Sequence, residues 1–124
     1  MKEKFSIRNR IRGFGYALEG MYYFFISTQN IPIYLIAVAG VVVFGFYCDL
    51  NSQEWLWIIT AAFLMFIAEI FNSAIEKVVD KASPEKSELA KRSKDMAAAG
   101  VLMTSILSII IAVFIFYPHI IDLM

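Results

Sequence analysis

Much of what a sequence can carry is absent from this one. Cys48 is the only cysteine in 124 residues, so neither a disulfide framework nor a Cys-x-x-Cys metal site can be built. The stretch before it, FGFYC, also lacks the small residues that precede a lipidated cysteine. His119 is the only histidine and sits in the tail, which argues against histidine-based chemistry or a zinc site and makes it an interfacial residue. No Gly-x-x-x-x-Gly-Lys-Ser/Thr loop, protein-kinase signature or dinucleotide fingerprint occurs. Charge is scarce, at 18% of residues, and sums to zero. A generally basic nucleic-acid binder is thereby excluded, so no nucleic-acid partner is expected.

What is abundant is apolar sequence. Hydrophobic residues make up 60% of the chain and mean hydropathy is +0.67, far above the needs of a small soluble domain. One domain, 1–124, is all the length allows. Three apolar runs, 31–50, 55–75 and 96–118, each approach the roughly 20 residues that carry a helix across a bilayer. The first is not a secretory signal, since it starts some thirty residues in and no small-x-small site follows. The fold class expected is an all-α membrane protein with three spanning helices.

The eleven Lys and Arg residues fall in two clusters. Lys2, Lys4, Arg8, Arg10 and Arg12 precede the first run; Lys77, Lys81, Lys86, Lys91, Arg92 and Lys94 lie between the second and third. The short connection CDLNSQEW and the tail YPHIIDLM have none. The positive-inside bias places the N-terminus and the 76–95 loop in the cytoplasm, with the first connection and the C-terminus outside.

In residues 1–30, Ile7, Ile11, Phe14, Leu18, Met21, Tyr22 and Phe25 recur every three or four positions, behind a cluster of arginines. That pattern predicts an amphipathic helix lying in the inner headgroup layer, with Pro32 suited to a break before the first span. A plain polybasic anchor would look the same.

The most informative segment is AEIFNSAIEKVVDK, Ala68 to Lys81. Entering from Trp55, a helix carries Glu69 about 21 Å inward through a core about 30 Å thick. Acidic groups at such depth are costly and usually face protein or water, which makes them functional candidates. Glu69, Asn72, Ser73, Glu76, Asp80 and Ser83 share one stripe at 100° per residue. For Asp80 and Ser83 a solvated helix face explains the pattern equally well. Glu69 and Glu76, about 10 Å apart, could divide two tasks, one buried enough to act as a base and one wet enough to hold a metal ion. The next helix is expected to begin near Pro84, with Ser83 as its N-cap. On it, Lys91, Lys94 and Asp95 share a face, fit either to bind phosphate and magnesium or to form an ordinary interfacial ion pair. Ala97 to Gly100 are small enough for close helix approach.

EIFNSAIEKVVD (69–80) and AKRSKDMAAAGVL (90–102), together with GFGYALEGMYYFF near the start, resemble the prokaryotic diacylglycerol kinase family, which includes undecaprenol kinases. The resemblance covers nearly the whole chain. It implies an ATP- and Mg²⁺-dependent kinase acting on a membrane-lipid hydroxyl in a bacterial plasma membrane, assembled as a helical-bundle homotrimer with shared active sites. By matching positions, Glu69 is the expected general base and lipid contact, Asn72 positions the reacting groups, and Glu76 binds the metal. Tyr16, Glu76, Glu85, Lys86, Ser87, Lys94 and Asp95 are expected at the nucleotide, and Ala98 at the lipid. The chain departs from the family pattern at Thr28, where an acidic metal ligand is common, and Gln29 stands beside it. A hydroxyl or amide there could reach Mg²⁺ through water, and weaker metal binding is the expected consequence. Asn9 stands where the family has an arginine, and no role is carried onto it. The substrate is expected to be diacylglycerol, with undecaprenol the alternative; an impaired homologue or a small proton-coupled exporter rank lower.

Overall fold

The computed structural model describes residues 4–124, so Lys2 of the first basic cluster lies outside them. Every regular element among the described residues is α-helical: α1 (Ile7–Ser27), α2 (Ile31–Tyr47), α3 (Ser52–Ala82) and α4 (Glu88–Leu123). The chain divides into two compact units, one ending at Pro32 and the other running from Ile33 to Met124.

In the first unit, Ser6 caps α1 by accepting a hydrogen bond from the Asn9 N–H at 3.4 Å. Arg10 lies 5.4 Å from the Phe5 ring centre, close enough for a cation–π contact. Thr28 ends the helix, its own N–H bonded to the Phe24 carbonyl. Pro32 stands in the first turn of α2, the one part of a helix where a missing N–H breaks no internal bond. The expected break between surface helix and first span therefore falls at 28–30, just ahead of the proline.

The second unit holds the long helices. Both α3 (31 residues) and α4 (36 residues) are long and apolar enough to cross a membrane, whereas α2, with 17 residues, is at the lower limit for a span. The described residues thus contain two span candidates, or three if α1 and α2 are counted together as one broken span. At 1.5 Å per residue, α3 is about 46 Å long, which exceeds a hydrocarbon core of about 30 Å. Its excess length accounts for a difference from the expected layout: of segment 76–95, only residues 83–87 are outside helix.

The start of α4 corrects another expectation. Ser83 is the C-cap of α3, its N–H bonded to Val79 at 2.8 Å and its hydroxyl donating to the Glu85 carbonyl at 2.9 Å. Pro84 follows as a stop, a common place for proline. The N-cap of α4 is Ser87, which accepts from the Ala90 N–H at 3.0 Å. At the far end α4 runs through Pro118 to Leu123, so the proline costs one backbone hydrogen bond near the terminus without ending the helix.

The turn between α2 and α3 is tightly specified. Leu50 N–H reaches the Gly45 carbonyl at 3.2 Å, and Asp49 N–H reaches Phe46 at 3.2 Å. This is the Schellman pairing, with Asp49 in the left-handed position at φ 57° that glycine usually fills. Gly45 is required by space: a Cβ there would lie 2.6 Å from the Trp55 ring. Asn51 and Glu54 then form a reciprocal capping box for α3. Around this turn Leu50, Ile58, Ile115 and Phe116 make the apolar core, flanked by Val41, Phe44, Trp55 and Ile111.

Candidate active site

The polar stripe of α3 is where burial and charge conflict. Glu69, Asn72 and Ser73 are the buried polar residues of the helix, with Glu69 only 5% exposed. Burying a carboxylate is costly unless something compensates it, and here the compensation is a single contact from α2. The Tyr34 hydroxyl donates to Glu69 Oε2 at 3.3 Å. Among the described residues, Glu69 Oε1 receives no hydrogen bond.

One turn further on, Asn72 Nδ2 donates to Glu76 Oε1 at 3.4 Å. The Asn72 carbonyl oxygen, Oδ1, is buried with no partner. An unpaired buried acceptor costs about 1–3 kcal/mol, so Asn72 keeps an unused acceptor next to a carboxylate. Glu76 is half-buried, wetter than Glu69, in keeping with the division of tasks expected for the two carboxylates. No cluster of three metal-ligating side chains occurs among the described residues. One carboxylate and one free amide oxygen do, however, fit Mg²⁺, which keeps several waters and completes its shell with phosphate oxygens. Glu76 and Asn72 are the residues that could hold it.

The stripe continues to α4. Lys94 Nζ binds Asp80 Oδ1 at 2.7 Å, linking the two helices, while Lys91 binds Asp95 at 2.7 Å along α4. Hydrogen bonding to Asp80, and then the charge of Asp80, hold the Lys94 ammonium above the usual lysine range, with a smaller contribution from Glu76. Lys91 is raised in the same way by Asp95. Both lysines precede the apolar run of α4 and sit in water, so these pairs contribute little stability. Their effect is to fix where the cations are.

Of the residues expected at the nucleotide, Glu76, Lys94 and Asp95 lie along this stretch of α3 and α4. Glu85, Lys86 and Ser87 are exposed in the five-residue connection between those helices, and Ala98 is exposed one turn beyond Lys94. Tyr16 and Thr28 belong to the first unit. Tyr16 is exposed on α1, and the Thr28 hydroxyl is buried without a hydrogen-bond partner. The simpler reading of Lys91 and Asp95, an i,i+4 ion pair, is present. The tie between Lys94 and Asp80 was not read from sequence, although two opposite charges facing each other across a short helix connection are a usable signal. Tyr34 was also missed; its signal is a lone hydroxyl early in an apolar run.

At the opposite end of α3, both carboxylate oxygens of Glu54 are engaged. Oε1 accepts from the Asn51 N–H at 3.1 Å, and Oε2 meets His119 Nε2 at 2.9 Å. The His119 hydrogen bond, followed by the Asn51 backbone, holds the Glu54 carboxyl below its ordinary range. His119, expected only to be interfacial, ties the end of α4 to the start of α3.

Comparison with known proteins follows the same residues. Residues 15–116 match the family described as prokaryotic diacylglycerol kinase. The chain is 33% identical over 109 residues to a diacylglycerol kinase of Escherichia coli K12, covering 88% of this chain and 89% of that protein. It is 33% identical over 107 residues to an undecaprenol kinase of Bacillus subtilis, covering 86% and 87%. A diacylglycerol kinase of Helicobacter pylori 26695 is 33% identical over 88 residues, 71% of this chain and 69% of that one. The matched span contains the whole stripe from Glu69 to Asp80, together with Lys94 and Asp95, and on this evidence the chain belongs to the prokaryotic diacylglycerol kinase family.

Proposed function

We propose that this protein is a bacterial membrane lipid kinase that transfers the γ-phosphoryl group of ATP to a lipid hydroxyl, with diacylglycerol as substrate and phosphatidic acid as product. The observation that carries this reading is the buried Glu69 carboxylate, held by one oxygen and open at the other, one turn from an unsatisfied Asn72 and two turns from Glu76. Family membership supports the kinase over the exporter considered from sequence.

The chemistry asks mainly for position and charge. Glu69 Oε1 accepts the proton of the lipid hydroxyl as that oxygen bonds to the γ-phosphorus. The bond from phosphorus to the β,γ-bridging oxygen breaks, ADP leaves with the electron pair, and Glu69 releases its proton to water. Asn72 orients the reacting groups. Glu76 is the metal-binding carboxylate, Thr28 stands at the position where the family commonly has a second ligand, and Mg²⁺ when bound would supply charge neutralisation at the phosphates. Lys94 and Asp95, with Glu85, Lys86 and Ser87, contact the nucleotide, Tyr16 stands at a family nucleotide position on α1, and Ala98 borders the lipid.

The arrangement in the membrane is part of the proposal. Within the N-terminal segment α1 is the amphipathic surface helix, and 31–50, 55–75 and 96–118 span. The N-terminus and 76–95 face the cytoplasm, because that is where the Lys and Arg residues lie, and the C-terminus is outside. Three copies share their active sites, as the family resemblance implies.

Undecaprenol is the second substrate reading, favoured by the equal identity to the undecaprenol kinase relative. The test is a head-to-head assay of purified protein in lipid, with γ-labelled ATP, Mg²⁺ and each lipid in turn. Label in phosphatidic acid at the higher kcat/KM supports the first reading, and label in undecaprenyl phosphate the second. No label in either, from folded protein, refutes the kinase.

A further inference from the structure

We infer that Tyr34 is a positioning residue for the reaction: its phenol holds Oε2 of Glu69 so that Oε1 is the oxygen presented to the lipid hydroxyl. The inference rests on the proposed role of Glu69 as base.

Three observations support it. Tyr34 is the residue that donates to Glu69 among the described residues, at 3.3 Å. Its ring is itself fixed, meeting Phe66 edge to face with centroids 6.5 Å apart and planes at 73°. Phe66 lies three residues before Glu69 on α3, so it shares the helix face of the carboxylate. The tyrosine is therefore clamped by the helix whose carboxylate it holds.

The chemistry of the pair gives the clamp a purpose. A carboxylate in a nearly dry site has two equivalent oxygens and rotates between them. A base must have its accepting lone pair aimed at one proton, within hydrogen-bond reach. A donor on Oε2 removes the rotational choice, and it does so without occupying Oε1. Tyrosine suits this place because its body packs among apolar side chains and only its tip is polar.

The test is Tyr34→Phe, which keeps the ring against Phe66 and deletes only the hydroxyl. Loss of one hydrogen bond to a charged group predicts a fall in kcat of about tenfold, with KM for MgATP and for lipid unchanged within about twofold and with an unchanged melting temperature. A paired comparison covers a failure of that variant to fold: Tyr34→Gln, which retains an N–H donor, should keep more turnover than Tyr34→Leu. Full kcat in Tyr34→Phe, or a loss expressed only as a higher lipid KM, overturns the inference, as does equal turnover in the Gln and Leu variants. These outcomes leave the kinase reading intact, because that reading stands or falls on phosphate transfer by the wild-type protein.

Discussion

Two carboxylates on α3, Glu54 and Glu69, sit fifteen residues apart and are treated in opposite ways. Both oxygens of Glu54 are engaged: one closes a capping box and the other binds His119. Around it the turn between α2 and α3 is packed so closely that Gly45 has no space for a methyl group. Glu69 is more deeply buried yet keeps an open oxygen, and its neighbour Asn72 keeps a buried acceptor without a partner. A folded chain satisfies most of its buried polar groups, and departures from that rule concentrate where chemistry needs the unspent valence. On the proposed reading, one end of the bundle holds the helices together and the other is the part that reacts.

That comparison can be broken in order of expected effect. Removing the proposed metal carboxylate by Glu76→Ala should lower phosphate transfer by about a hundredfold or more, with partial recovery at high Mg²⁺, read from initial rates across a Mg²⁺ titration. Loss of activity without any shift in Mg²⁺ dependence would remove Glu76 from the metal site. At the other end, Gly45→Ala should destabilise the protein by about 1–3 kcal/mol through the clash with Trp55. Its kcat should remain at the wild-type value when measured well below the melting temperature.

Asp80→Asn has a smaller reach. Freed from its partner, Lys94 should lose its fixed place, raising KM for MgATP about twofold to fivefold with little change in melting temperature. A melting shift with unchanged KM would make the pair a helix tie alone.

The smallest effect concerns pH. Glu54 has a lowered folded-state pKa, so the stability it adds is present above its unfolded value and is lost as pH falls through the folded one. Thermal melts of wild type and His119→Gln should therefore differ by a few degrees at most near neutrality, as a partly exposed pair allows. The two should converge as pH drops below the ordinary carboxylate range.

The stripe from Glu69 to Asp80 was legible because a helix repeats every 3.6 residues and the polar positions kept that period. Its burial followed from the apolar run before it. Helix limits were less legible, since hydropathy marks the part of a helix that fits in lipid and is blind to the turns that project beyond it. Segment 76–95, expected as a loop, is mostly the continuation of α3 and the beginning of α4. Ser83 illustrates a local ambiguity. Serine before proline suits a helix start, but proline just beyond a helix also suits a stop, and the carbonyl of Val79 decides between them. The contacts of Tyr34, Lys94 and His119 all cross between helices. Their partners depend on the register set by the two short turns, which no periodicity within one helix encodes.

The central claim is that Glu69 is the base in a lipid-phosphorylating site, and Glu69→Gln tests it most directly, since it preserves shape and removes only the carboxylate. Lipid phosphorylation and nucleotide binding should be measured on the same folded preparation. The account predicts that turnover falls by about a hundredfold to ten-thousandfold, the span general-base removal covers, while MgATP affinity stays at the wild-type value. Wild-type turnover in Glu69→Gln, or a matching loss of nucleotide affinity, would contradict it.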